Sequence, residues 1–225
     1  KEIIEKIAEE RKREFSSGPS LKNALRVIVE RLNSQETHFL LELIQNADDA
    51  LKDADEKNLR KLTFTLKQDR LIIQNSGKPF DTNDVHDLSS VGDSHKGFDQ
   101  IGHFGIGFKS VFRVCDYPEV YSGGFSFRYN ATDETWIVPE WLDVLTEEYN
   151  NVPATFVLPL KEPNRHFELI KSQINQLDPR VLLFLNHLRC IESNGITLIR
   201  EDLNNGTCLL THNGKKSLWR IYQTE

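Results

Sequence analysis

The sequence predicts an α+β sandwich rather than a doubly wound α/β sheet, and three observations carry that prediction. Amphipathic helical stretches and strand-like stretches are interspersed without a regular βαβ alternation. From Cys190 onward the chain carries Asn194-Gly195, Asn205-Gly206 and Asn213-Gly214, the dipeptide that tight hairpins favour because both residues tolerate positive φ. With 225 residues, 38% hydrophobic and 28% charged, the chain is long enough to bury a proper core in one large domain, or in a domain with a small appendage.

Taken in order, Lys1 to Glu14 is highly charged, and Ile3, Ile4, Ile7 and Ala8 make it an amphipathic helix. "FSSGPS" breaks it. Leu21, Leu25, Ile28, Val29 and Leu32 stripe a second helix over Leu21 to Leu32, and His38 to Leu51 is a third. "KLTFTLK" and "RLIIQN", with Gln68 and Asp69 between them, predict a hairpin. "NSGKPF", Asn75 to Phe80, is a turn. Asp81 to Gln100 is polar and punctuated by Gly92 and Gly97, which predicts a mobile stretch with some helix near Asn83 to Ser90. Further on, "FSFRYN", "TWIV" and "ATFVLPL" read as strands, "NRHFELIKSQINQL" and "PRVLLFLNHL" as helices, and the Asn-Gly region as an antiparallel meander.

Composition narrows the function classes. No apolar run approaches the roughly 18 residues of a membrane span, and no signal peptide is recognisable, so the expected compartment is the cytosol, with the nucleus also compatible. A formal charge of −6 argues against the basic face that a phosphate backbone requires, so nucleic acid is not expected as a partner of this domain. Cys115, Cys190 and Cys208 are odd in number and widely spaced, which is neither a disulfide framework nor a zinc-ligand pattern. The chain contains no methionine and stops just past the strand-like "SLWRIY"; a piece of a longer polypeptide is expected.

The chemistry concentrates in "IGHFGIGFKSVF". Gly102, Gly105 and Gly107 remove Cβ atoms where a backbone must turn tightly, and Phe108 to Arg113 follow as the first turns of a helix. Free N–H groups and the helix dipole at such a point attract an anion, phosphate first of all. The same spacing also serves merely to pack a buried turn closely, so it needs corroboration. Upstream, in "HFLLELIQNADDAL", Leu40, Leu43, Ile44, Ala47 and Leu51 form a buried stripe. Glu42, Asn46 and Asp49 fall at i, i+4 and i+7 on a neighbouring face. That face is either a solvated one or a working one. In the working case Asn46 offers a neutral oxygen to Mg²⁺, and Glu42 accepts a proton from a water attacking a terminal phosphorus.

"LELIQNADDAL", "NSGKPF", "IGHFGIGFKSVF" and "PATFVLPL", in that order over residues 38 to 160, resemble the four nucleotide-binding boxes of the GHKL ATPases: gyrase, heat-shock chaperone, histidine kinase and MutL. Within that superfamily "HFLLELIQNADDA", "GIGFKSVF" and "FLNHL" are most similar to the chaperone-like domains of the sacsin and No Vein type. The resemblance implies a Bergerat-type ATP-binding fold, a two-layer α/β sandwich with helices packed on one face of a mixed, mainly antiparallel sheet. The expected division is a helical extension over 1–20, an ATP-binding domain over 21–187 and a β-meander over 188–225 packed on or extending the same domain.

Carried over by position, the resemblance implies Glu42 as general base and Asn46 as Mg²⁺ ligand. Asp49 and Ala50, with Asn75 and Gly77 of the second box, would line the nucleotide pocket. Gly102, Phe104, Gly105, Ile106, Gly107 and Phe108 would supply phosphate-facing backbone, and Thr155 would help hold adenine. Lys96, in the lid segment, is a candidate phosphate contact; Lys109 reaches either phosphate or solvent. Two departures stand out. Asn75 occupies the position where most members carry an adenine-binding aspartate, and a neutral acceptor bonds more weakly than a charged one. Ala154 replaces the usual glycine before the threonine.

The implied function is Mg²⁺-dependent ATP binding and slow hydrolysis, acting as a conformational switch in a larger chaperone-like or remodelling protein. Its implied partners are ATP and ADP, further domains of the same polypeptide, a protein client and a nucleotide-dependent second copy. Two other classes stand beside it: a non-catalytic interaction module, motivated by Asn75, and the ATPase domain of a DNA-repair or defence protein of MutL or gyrase type. A histidine kinase is disfavoured, because His38 lies inside the first box rather than on a preceding helix.

Overall fold

The computed structural model describes residues 1–16, 38–52, 54, 59–90, 107–132, 135–143, 149 and 151–222. Four α-helices lie among them: α1 (Glu2–Ser16), α2 (His38–Ala50), α3 (Thr82–Leu88) and α4 (Pro163–Asn175). Two 3-10 segments, Gly107–Arg113 and Pro179–Phe184, complete the helical part. The helix expected over Leu21 to Leu32 falls outside the described residues.

Ten strands make one sheet: β1 (Lys61–Leu66), β2 (Arg70–Asn75), β3 (Glu119–Ser122), β4 (Phe125–Asn130), β5 (Thr135–Trp141), β6 (Ala154–Pro159), β7 (Cys190–Ser193), β8 (Ile196–Asp202), β9 (Thr207–His212) and β10 (Lys215–Arg220). Their order is β10-β9-β8-β7-β1-β2-β6-β3-β4-β5. Every neighbouring pair is antiparallel except β1 and β7, which run parallel with Leu62 beside Ile191 and Phe64 beside Ser193.

This corrects the expected architecture. The domain is not a helix-packed two-layer sandwich; a single mixed ten-stranded sheet dominates it, and the helices are few. The reason is the parallel junction. The free edge of β1 is taken by β7, so the Asn-Gly hairpins that follow continue the ladder of the first six strands. Asn205, Gly206, Asn213 and Gly214 all sit at positive φ, as their tight turns demand.

Strand alternation sends Leu62, Phe64, Leu71, Ile73, Val120, Phe127 and Leu158 into the main core together with Ile4 and Ile7 of α1, Leu43 and Ile44 of α2 and Ile170 of α4. Ile72, Tyr121 and Val157 point to the opposite face and form a smaller cluster with Tyr149. α1 packs on β5, α2 on the 107–113 segment and α4 on β1.

"PRVLLFLNHL" does not complete an α-helix. Asp178 caps the short 3-10 segment by accepting from Arg180 N–H at 2.8 Å, and Leu185 is already extended. The N–H groups of Asn186, His187 and Leu188, which a longer helix would keep for itself, all bond to the side chain of Asp48. The carbonyls of Leu182 and Leu185 accept from Arg200 Nη1.

Candidate functional site

Three pieces of sequence meet at the middle of α2. Its apolar stripe, Phe39, Leu40, Leu43, Ile44, Ala47 and Leu51, is buried. That fixes the helix rotation and leaves Glu42 and Asn46 half-buried on the adjoining face. The 107–113 segment lies across this face, with Phe108, Val111 and Phe112 buried beneath it. Gly107 is its point of closest approach: a Cβ built there would stand 2.4 Å from Glu42 Oε2 and 3.7 Å from Asn46 Nδ2. Only glycine lets the backbone sit this close to the carboxylate where it stands, while the carboxamide lies at ordinary contact distance.

The "NSGKPF" turn docks at the C-terminal end of the same helix. A Cβ on Gly77 would meet the Ala50 carbonyl oxygen at 2.6 Å, and Lys78 N–H bonds that oxygen at 3.4 Å. Asn75, ending β2, is buried; its Nδ2 donates to Ala47 O at 3.4 Å and its Oδ1 accepts from Gly77 N–H at 3.1 Å. Its two polar ends thus tie helix to turn, leaving one lone pair of Oδ1 for a further donor. Asp49 is buried in the same helix turn.

The structure brings Glu42, Asn46 and Gly107 together, and groups Asp49, Ala50, Asn75 and Gly77 one to two turns further along α2. Thr155 stands apart. The β2–β6 register pairs Asn75 with Ala154 but Thr155 with Gln74, so Thr155 lies on the other face of the sheet, where its hydroxyl donates to Tyr149 O at 3.0 Å. Lys96, Gly102, Phe104, Gly105 and Ile106 lie outside the described residues. Among the described residues no group of three or more His, Cys, Asp or Glu side chains converges as a metal site, and the three cysteines are free thiols.

Two charged side chains, Asp48 and Lys109, are turned to the interior. The fully buried carboxylate of Asp48 accepts N–H bonds from Asn186 at 2.9 Å, His187 at 2.7 Å and Leu188 at 2.6 Å. It thereby locks α2 to the entry of β7. The signal was present in the pattern: Asp48 stands four residues after Ile44 and three before Leu51, on the apolar stripe, where a carboxylate demands donors.

Lys109 does not reach solvent. It is 1% exposed, its Nζ donates to Leu88 O at 2.5 Å and lies 4.8 Å from the ring centre of Tyr129. The Tyr129 hydroxyl in turn bonds Ser89 Oγ at 2.8 Å. Lys109 therefore clasps the end of α3 to the 107–113 segment. Burial, with a smaller contribution from Arg11, lowers its pKa from 10.5 to about 7. The unfolded chain keeps that proton to a higher pH than the folded protein does, so the burial cost is fully present below about pH 7 and is relieved as pH rises toward 10.5. Folding stability should therefore rise over that window by up to about 1.4 kcal/mol per pH unit from this group. Denaturant midpoints taken across the window should show the stability of Lys109→Met relative to wild type falling as pH rises; a constant difference would remove Lys109 as the cause.

Similarity to known proteins puts the chain in a GHKL-like, chaperone-related class of domain. Residues 19–130 match the Sacsin domain family, and the chain carries a sacsin-type domain. It is 34% identical over 196 residues to the protein NO VEIN of Arabidopsis thaliana, a match covering 76% of this chain and 7% of that protein. It is 32% identical over 125 residues to the chaperone protein HtpG of Campylobacter jejuni subsp. doylei, covering 44% of this chain and 21% of HtpG. The chain thus spans a small part of either relative's length. No helix among the described residues is long and apolar enough to cross a membrane.

Proposed function

We propose that this chaperone-like domain binds ATP with Mg²⁺ and hydrolyses it slowly, as a conformational switch within a larger protein. The observation that carries the reading is the convergence of the Glu42 carboxylate and the Asn46 carboxamide on the backbone of Gly107. One oxygen acid, one neutral oxygen ligand and a side-chain-free backbone suit a hard cation and a phosphate together. Mg²⁺, when bound, would offset phosphate charge, with Asn46 as its protein ligand. Glu42 would orient a water and accept its proton as the water oxygen bonds the terminal phosphorus and the bond to the leaving phosphate oxygen breaks. Asp49, Ala50, Asn75 and Gly77 would line the base-binding end, Gly102 to Phe108 would give phosphate-facing amides, and Lys96 would be a lid contact.

Calorimetric titration with Mg²⁺ and ATP tests the binding, and phosphate release with and without Glu42→Ala tests the chemistry. Heat of binding together with loss of turnover in the variant is expected; equal rates would remove Glu42 from the mechanism. The Asn75 carboxamide, already engaged by Ala47 and Gly77, favours a second reading: a module that keeps the fold for protein interaction and gives no heat at millimolar nucleotide.

A further inference from the structure

We infer that β10 is a docking edge for an extended acidic segment of a partner polypeptide, which joins the sheet as an eleventh strand. The two ends of the sheet are finished differently. At one end β5 contains Pro139, has Trp136, Ile137 and Val138 buried, and is packed by α1, the usual ways of blunting an edge. At the other, β10 pairs among the described residues only with β9, and all six of its residues are exposed.

The free backbone groups can be assigned. The Asn213-Gly214 turn closes on the His212–Lys215 pair, and Ile221 N–H bonds Gly206 O at 2.8 Å. Antiparallel bonding alternates, so Lys215, Ser217 and Trp219 face β9 with their backbone groups. Those of Lys216, Leu218 and Arg220 face outward.

Charge selects the occupant. Lys215, Lys216 and Arg220 sit in a strand with no acidic residue, in a chain of net charge −6. None of the three enters an ion pair among the described residues. Lysines alone would guard an edge against pairing, but they stand beside Leu218 at 68%, Trp219 at 37% and Tyr222 at 77% exposure, apolar surface that a guarded edge omits. An added strand with acidic side chains on the face of Lys216 and Arg220 and apolar ones on the face of Trp219 would satisfy the outward backbone groups, pair those two cations and cover Trp219.

A labelled, acetylated peptide of about eight alternating Glu and Val residues, titrated against the whole chain by fluorescence anisotropy, tests the assignment. Saturable binding that weakens with salt is expected, together with no binding of the Lys/Val counterpart. Leu218→Pro removes an outward N–H without touching the β9–β10 bonds and should weaken binding at least about tenfold, as should the double charge reversal of Lys216 and Arg220 to Glu. Circular dichroism checks that both variants remain folded, and the charge-reversed protein should gain affinity for the Lys/Val peptide. Failure of the acidic peptide to bind, or equal binding by wild type and the charge-reversed variant, would overturn the inference. So would concentration-dependent self-association abolished by Leu218→Pro, since the occupant would then be a second copy.

Discussion

Replacing Asp48 by alanine should destabilise the fold by about 3–5 kcal/mol, the largest stability loss expected of any single truncation on α2. The carboxylate is fully buried and accepts three backbone N–H bonds from Asn186, His187 and Leu188. Bonds to a charged acceptor contribute about 1.5–3 kcal/mol each, and removing the acceptor leaves buried donors without partners. Asp48→Asn should fare little better, because its NH₂ would point a donor at donors. The effect should be global, since these bonds fix the segment that delivers β7 to the edge of β1. Urea unfolding measures it; a loss below about 1 kcal/mol would mean that this junction is held by other contacts.

Gly107→Ala should leave stability within about 1 kcal/mol of wild type yet reduce ATP hydrolysis by about 10²-fold or more, if Glu42 is the general base. The new methyl group would stand 2.4 Å from Glu42 Oε2, the free end of a flexible side chain that can swing aside. The fold would tolerate the change while the carboxylate lost its position. Combining Gly107→Ala with Glu42→Ala should add little further loss, since both remove the same group from its place. Unchanged turnover in Gly107→Ala would show that the observed carboxylate position has no part in the chemistry. Gly77→Ala offers the contrast: its methyl meets the Ala50 backbone carbonyl at 2.6 Å, which cannot swing aside, so stability should fall there.

What was legible in the sequence follows from what is local. α1 and α2 begin and end within two residues of the periodicity that predicts them, the β1–β2 hairpin forms as its alternation requires, and each Asn-Gly pair turns a hairpin. Glu42 and Asn46 share a helix face because 3.6 residues make a turn, and that can be read from spacing alone. β3, "EVYS", went unread because four residues give too little alternation. The face of Thr155 depends on the register between β2 and β6, which no local pattern sets. Lys109 follows the glycine segment in the sequence, but its ammonium is drawn away to Leu88 O by the packing of α3 and β4 around it.

By itself the sequence determined the helix faces, the hairpin turns and the family to which the domain belongs, since each rests on residues close together in the chain. Only the tertiary structure decided that β7 runs parallel to β1, turning an expected sandwich into one ten-stranded sheet, and that Asp48 and Lys109 serve the interior rather than the surface. Those outcomes depend on which distant backbone groups satisfy one another once water is excluded.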